Sequence, residues 1–123
     1  MDIFNIAIGG ALGAVCRFLA GNWVSRLSGS ALPYGTFFVN VLGCFAMSLL
    51  MTAIIERQLL PAAWRLLLCV GFLGGFTTFS SFGYEGLMLM LEGRLVAAAA
   101  YSFGSLLAGF LAAGLGVLAA KAI

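Results

Sequence analysis

Between Leu66 and Tyr84 the chain carries no charged residue. A run of that length can cross the hydrocarbon core of a bilayer as a helix, which takes about 20 apolar residues. The rest of the chain extends the constraint. Only 8% of its residues are charged and 63% are hydrophobic, too little polarity to clothe a soluble domain of 123 residues. Four spans need roughly 80 residues, which leaves only short loops. The apolar segments fall at 3–26, 35–55, 62–91 and 95–120 and predict one four-helix transmembrane domain, all-α and integral to the membrane. The start, Met1-Asp2-Ile3-Phe4, lacks the basic region of a cleaved signal peptide, so the first span is expected to be retained.

Several functions are set aside at this point. The chain has no His, no paired carboxylates and no nucleophile beside a base, so an enzyme is not indicated. Its net charge of +2 is spread thinly, with no basic patch for nucleic acid. Cys16, Cys44 and Cys69 lie singly in three different apolar segments without metal-ligand spacing and read as small buried hydrophobes.

Charge at the loops gives almost no orientation. The side that holds the N-terminus collects Arg57, Arg65 and Lys121, and the other side collects Arg26 and Arg94. So weak a positive-inside bias fits a chain that inserts both ways up and pairs as an antiparallel homodimer. It fits equally a weakly biased chain of one topology. Gly9 and Gly13 are four apart, as are Gly104, Ala108 and Ala112, and Ser105, Gly109 and Ala113. Small residues at this spacing let helix backbones approach in lipid, which says bundle without saying function.

The third span is odd in its middle, which reads Gly74-Gly75-Phe76-Thr77-Thr78-Phe79-Ser80-Ser81-Phe82. Adjacent glycines either permit close packing or weaken the helix. The hydroxyls that follow can bond freed backbone groups, so a break near the middle is expected. Non-helical backbone at membrane depth must be buried in protein or line a wet cavity. Carbonyls exposed there offer oxygen ligands to a small hard cation. Phe79 and Phe82 are three apart and share a helical face. They either pack or turn their positive ring edges toward an anion, with the Ser80 and Ser81 hydroxyls interleaved.

Asn40 lies among apolar residues, either bonded to another helix or offering its NH2 to a permeating anion. Asn40, Cys44 and Ser48 recur every fourth residue, and Tyr101 and Ser105 give the fourth span a similar polar edge. Arg17 and Glu85 are the ionisable residues expected within the membrane or at a wet vestibule. Arg17 either concentrates anions or anchors helices through their carbonyls. Glu85 is expected to point away from an anion path or into a vestibule.

These motifs together resemble the small fluoride channels called Fluc or CrcB. The likeness covers nearly the whole chain: Gly9-Gly10-Ala11-Leu12-Gly13 leading to Arg17, and Pro33-Tyr34-Gly35-Thr36 leading to Asn40. It continues through Gly71 to Phe82, Glu85, Glu92-Gly93-Arg94, and Tyr101 with Ser105. The resemblance implies an antiparallel dual-topology homodimer in the cell inner membrane. Each dimer would have two pores that export fluoride passively from the cytoplasm and exclude chloride. It implies that Phe79, Phe82 and Asn40 line the pore, with Tyr101 and Ser105 beside it. It further implies that backbone carbonyls of Gly74 and Thr77 from both subunits hold a central sodium ion. Ser81 stands where the family usually has Thr, which keeps the hydroxyl and loses a methyl. Two other readings remain: a small multidrug-type exporter, for which Glu85 is the sole candidate carboxylate, and a non-transporting assembly protein.

Overall fold

A computed structural model describes residues 1–123. Four helices are long and apolar enough to cross a membrane: Asp2–Ser28, Tyr34–Glu56, Arg65–Leu91 and Leu95–Ala122. The first is α1. The second, α2, is α-helical over Tyr34–Met51 and finishes in a wider π turn over Thr52–Glu56. The third span begins later than its apolar run suggested, because Trp64 and Arg65 donate their N–H groups to Pro61 and Ala62 carbonyls in a turn. Its first half, α3, is π-wound over Arg65–Leu73 and runs on through Gly74–Phe76. Its second half is α4, Phe79–Leu91, and the last helix is α5, Leu95–Ala122. Gly29 closes α1 with a left-handed φ of 58°, a conformation that costs glycine little.

Partners change along the third span. α3 lies against α1, whereas α4 lies against α5, and α2 packs on both α1 and α5. The α1–α3 contact is a seam of glycines. A side chain on Gly9 would strike the Leu67 carbonyl, one on Gly13 the Phe72 carbonyl, and one on Gly75 the Gly10 carbonyl. On α5 the buried face is Ala98, Gly109, Ala112, Gly116 and Ala120. The small-residue spacing therefore does pack helices, although Gly104 has no neighbour where a side chain would stand.

Val39, Leu73 and Phe76 form the core cluster, joining α2 to α3. Only 19 of 123 residues are buried, so most large apolar side chains, among them Leu12, Phe18, Phe110 and Leu118, face outward. In water such a surface would aggregate; against lipid or a second copy it is the expected exterior. Charges sit at the helix ends, where Lys121 and Glu56 pair at 3.8 Å, leaving only Arg17 and Glu85 well inside the spans. The three cysteines are free: Cys69 is buried, Cys16 and Cys44 half-buried.

Candidate functional site

The backbone leaves the helical region at Thr77 (φ −88°, ψ 157°) and Thr78 (φ −148°, ψ 118°). This corrects the expectation that the glycines open the chain. Gly74 is helical at φ −61° and ψ −39°, and Gly75 and Phe76 continue the helix. The physical reason is that Gly75 serves the seam with α1, where the absence of a Cβ allows contact, and needs no special dihedral.

Side chains take over the hydrogen bonds that the helix loses. Asn40 Oδ1 accepts the Thr78 N–H at 2.7 Å, and Asn40 Nδ2 donates to the Thr78 carbonyl at 2.9 Å. The Thr78 N–H that would close a helical turn onto the Gly74 carbonyl is therefore held by Asn40. Thr77 Oγ1 donates to the Leu73 carbonyl at 3.0 Å, which also accepts the Thr77 N–H. Thr78 then caps α4, its Oγ1 accepting the Ser81 N–H at 3.2 Å, as a hydroxyl does at an N-cap. Arg17 Nε donates to the Gly75 carbonyl at 3.0 Å. The fourth residue beyond Gly75 is Phe79, across the extended pair, so Arg17 supplies a donor to a carbonyl at the end of α3. Of the two readings of Arg17, the carbonyl anchor is the one its side chain makes here.

Two hollows flank this backbone, and Thr78 lines both. One is a groove of about 430 Å³ walled by Asn40, Thr77, Phe79, Phe82 and Ser105. Phe79 and Phe82 have ring centroids 5.8 Å apart, and Phe82 and Tyr101 5.4 Å, at interplanar angles of 44° and 50°. Tilted rings at such distances set edges against faces. Phe79 is 81% exposed, so this wall stands open to the outside of the subunit. The Ser105 hydroxyl is buried and meets no partner in the chain, an uncommon condition for a buried polar atom, while the buried Tyr101 hydroxyl lies near Thr36 and Glu85.

The other hollow, about 180 Å³, is polar and lined by Arg17, Asn22, Ser25, Thr36, Ser81 and Glu85. Here Thr36 Oγ1 donates to Glu85 Oε1 at 2.6 Å. Glu85 thus lines this polar hollow and is tied through Thr36 to α2. Ser80 is exposed, 3.4 Å from Thr78 Oγ1 through its hydroxyl. Cys44 and Ser48 extend the polar stripe of Asn40 along the groove.

No cluster of His, Cys, Asp or Glu is placed to hold a metal ion. Sequence reasoning missed Thr36, although it is a hydroxyl one turn before Asn40 on the same helix face. It also missed Thr78 as the partner of Asn40, which only the pairing of α2 with the third span reveals.

A family profile described as "CrcB-like protein, Camphor Resistance (CrcB)" matches residues 4–117. The chain belongs to the CrcB-like family. A CrcB-like relative from Chloroflexus aurantiacus, named fluoride-specific ion channel FluC, is 46% identical over 116 residues, 94% of this chain and 92% of the relative. The protein of the same name from Syntrophotalea carbinolica is 45% identical over 121 residues, 98% of each chain. That from Acidobacterium capsulatum is 42% identical over 123 residues, all of this chain and 98% of the relative. The CrcB-like likeness therefore spans all four helices and the residues around Thr78.

Proposed function

We propose that this chain is a fluoride-selective channel that exports fluoride passively from the cytoplasm. The working unit is an antiparallel homodimer in the cell inner membrane, with two pores. The observation that carries this reading is the groove in which Asn40, Ser105 and the Phe79–Phe82 pair converge, left open on the side of the exposed Phe79. A second copy against that face turns an open groove into an enclosed path. The names of the CrcB-like relatives supply the ion.

Fluoride is small and strongly hydrated, so a pore must replace its water with several donors in turn. Conduction needs sites favourable enough to enter and weak enough to leave. The chain supplies moderate donors in series. Arg17 lines the polar hollow while its Nε holds the Gly75 carbonyl. Ser80 and Ser81 lie at the start of α4. The Asn40 amide retains one N–H after its bond to Thr78. Phe79 and Phe82 then offer ring edges, which attract an anion without holding it as a full positive charge would. Ser105 follows with a hydroxyl that no other group in the chain occupies, and Tyr101 packs behind Phe82. Glu85, tied to Thr36, stays in the vestibule and out of the groove.

The interruption at Thr77 and Thr78 also suits a cation. With the Thr78 and Ser81 N–H groups held by Asn40 and Thr78 Oγ1, the Gly74 and Thr77 carbonyls lack their helical donors. Neutral carbonyl oxygens are ligands for a hard ion such as sodium. Two antiparallel copies would offer them together at the dimer centre, where the ion would stabilise the assembly.

The test is purified protein in liposomes loaded with fluoride, with external fluoride followed over time. Rapid efflux is expected, with none of comparable rate from chloride-loaded vesicles. Equal release of both halides overturns selectivity, and no release overturns the channel. Efflux that runs only with a proton gradient would point to an exporter in which Glu85 carries the proton.

A further inference from the structure

Gly43 stands one turn beyond Asn40 on α2, and both face the extended pair. A Cβ placed on Gly43 would collide with the Cγ2 methyl of Thr77. The next atoms it would meet, Thr77 Cβ and Phe76 Cδ1, lie at 3.6 and 3.7 Å, which is ordinary contact. One methyl group therefore takes the room that a side chain on Gly43 would need, and nothing else there is crowded. The same threonine is held on its other branch, where Oγ1 donates to the Leu73 carbonyl.

We propose that Gly43 is a positioning residue: it seats the Thr77 methyl and, with Asn40 gripping Thr78, fixes the extended dipeptide between α3 and α4. This rests on the channel reading, in which the dipeptide aims the Thr77 carbonyl at the cation and starts the helix that carries Phe79 and Phe82. Sequence pattern alone gives Gly43 no task, since it bears no donor and touches no ion. Its position is nonetheless the one that fits the Thr77 side chain to α2. The grip from α2 is two-pointed: Asn40 holds residue 78 by hydrogen bonds, and Gly43 holds residue 77 by shape.

The proposal predicts an inverted sign. Alanine in place of glycine inside a helix ordinarily stabilises it. Here Gly43→Ala should lower fluoride efflux about tenfold or more, because overpacking by one methyl displaces a site whose geometry matters to within about an ångström. Thr77→Ser removes only the colliding methyl and keeps Oγ1 on Leu73. The double variant Gly43→Ala with Thr77→Ser merely moves a methyl from α3 to α2, and should recover most of the lost efflux. Non-additivity of this kind marks residues in direct contact.

Hydrogen–deuterium exchange across residues 76–82 is read on the same proteins. Exchange should be faster in Gly43→Ala and return toward normal in the double variant. A Gly43→Ala protein that conducts and exchanges like the parent overturns the proposal, as does a double variant no better than Gly43→Ala in either readout. If Gly43→Ala does not fold, recovery of a folded double variant supports the seat and its failure to fold overturns it. A parent protein that passes no fluoride would defeat the channel reading, while the exchange pattern would still decide the role of Gly43.

Discussion

Asn40 on α2 clasps residue Thr78 at both its backbone groups, accepting the N–H at 2.7 Å and donating to the carbonyl at 2.9 Å. A side-chain amide presents a donor and an acceptor side by side, so it can pair with an extended residue as a neighbouring strand would. That is why a single polar residue in an apolar helix suffices to hold an interruption at membrane depth.

Removing the clasp separates stability from conduction. Asn40→Leu leaves both Thr78 groups unpaired and should cost about 1–3 kcal/mol, read as earlier thermal unfolding in detergent. Asn40→Asp keeps the acceptor for the Thr78 N–H and should unfold later than Asn40→Leu. It nevertheless places a carboxylate beside the proposed anion path, so its fluoride efflux should be as low as that of Asn40→Leu. If the aspartate variant conducts like the parent, Asn40 does not border the path.

The phenylalanine pair makes a different demand. Phe79→Ile and Phe82→Ile keep apolar bulk and remove the polarised ring edge. Either should reduce efflux by about 100-fold, while the dimer still elutes intact, because several moderate donors acting in series fail when one is lost. Because Phe79 is 81% exposed on the subunit, its replacement leaves the fold of the chain itself almost untouched. Normal conduction in both variants would remove ring edges from the mechanism.

Arg17 is predicted to matter first as an anchor. Arg17→Met loses the donor to the Gly75 carbonyl and should destabilise the protein by about 1–3 kcal/mol, as charged hydrogen bonds do when broken. Arg17→Lys retains a cation able to reach a carbonyl and should recover part of that loss. Thermal unfolding of the two variants side by side checks it: equal stability would leave the Gly75 contact without consequence.

Much of this was legible in the sequence. Four charge-poor runs gave the number and class of the helices, since length and apolarity alone decide what can cross a bilayer. Asn40, Arg17 and Glu85 stood out because a polar group in such a run demands a partner. Their partners did not show, because Thr78, Gly75 and Thr36 lie tens of residues away in the chain and meet only when helices pack. The glycine pair misled for a related reason. Glycine weakens a helix when isolated, yet Gly75 stays helical, and its missing side chain leaves the room that the Gly10 carbonyl of α1 takes. The extended residues are instead the threonines, whose hydroxyls can satisfy the broken ends. Gly43 was silent altogether, since a missing side chain acquires meaning only from the atom that fills its place.

The cation reading can be tested apart from the anion path. If Gly74 and Thr77 carbonyls from two copies hold sodium, the site consists of neutral oxygens that do not titrate. Acidifying the sample through the carboxylate range should therefore leave the dimer together, whereas replacing sodium with a large organic cation should loosen it. The fraction of dimer by size-exclusion chromatography at falling sodium reads this directly, and fluoride efflux should decline over the same sodium range. Carboxylate ligands would give the opposite pattern, with loss in acid, and no cluster of acidic residues is present to produce it. Dimer and efflux that are both indifferent to sodium would remove Gly74 and Thr77 as ligands, leaving the extended pair to serve the anion alone.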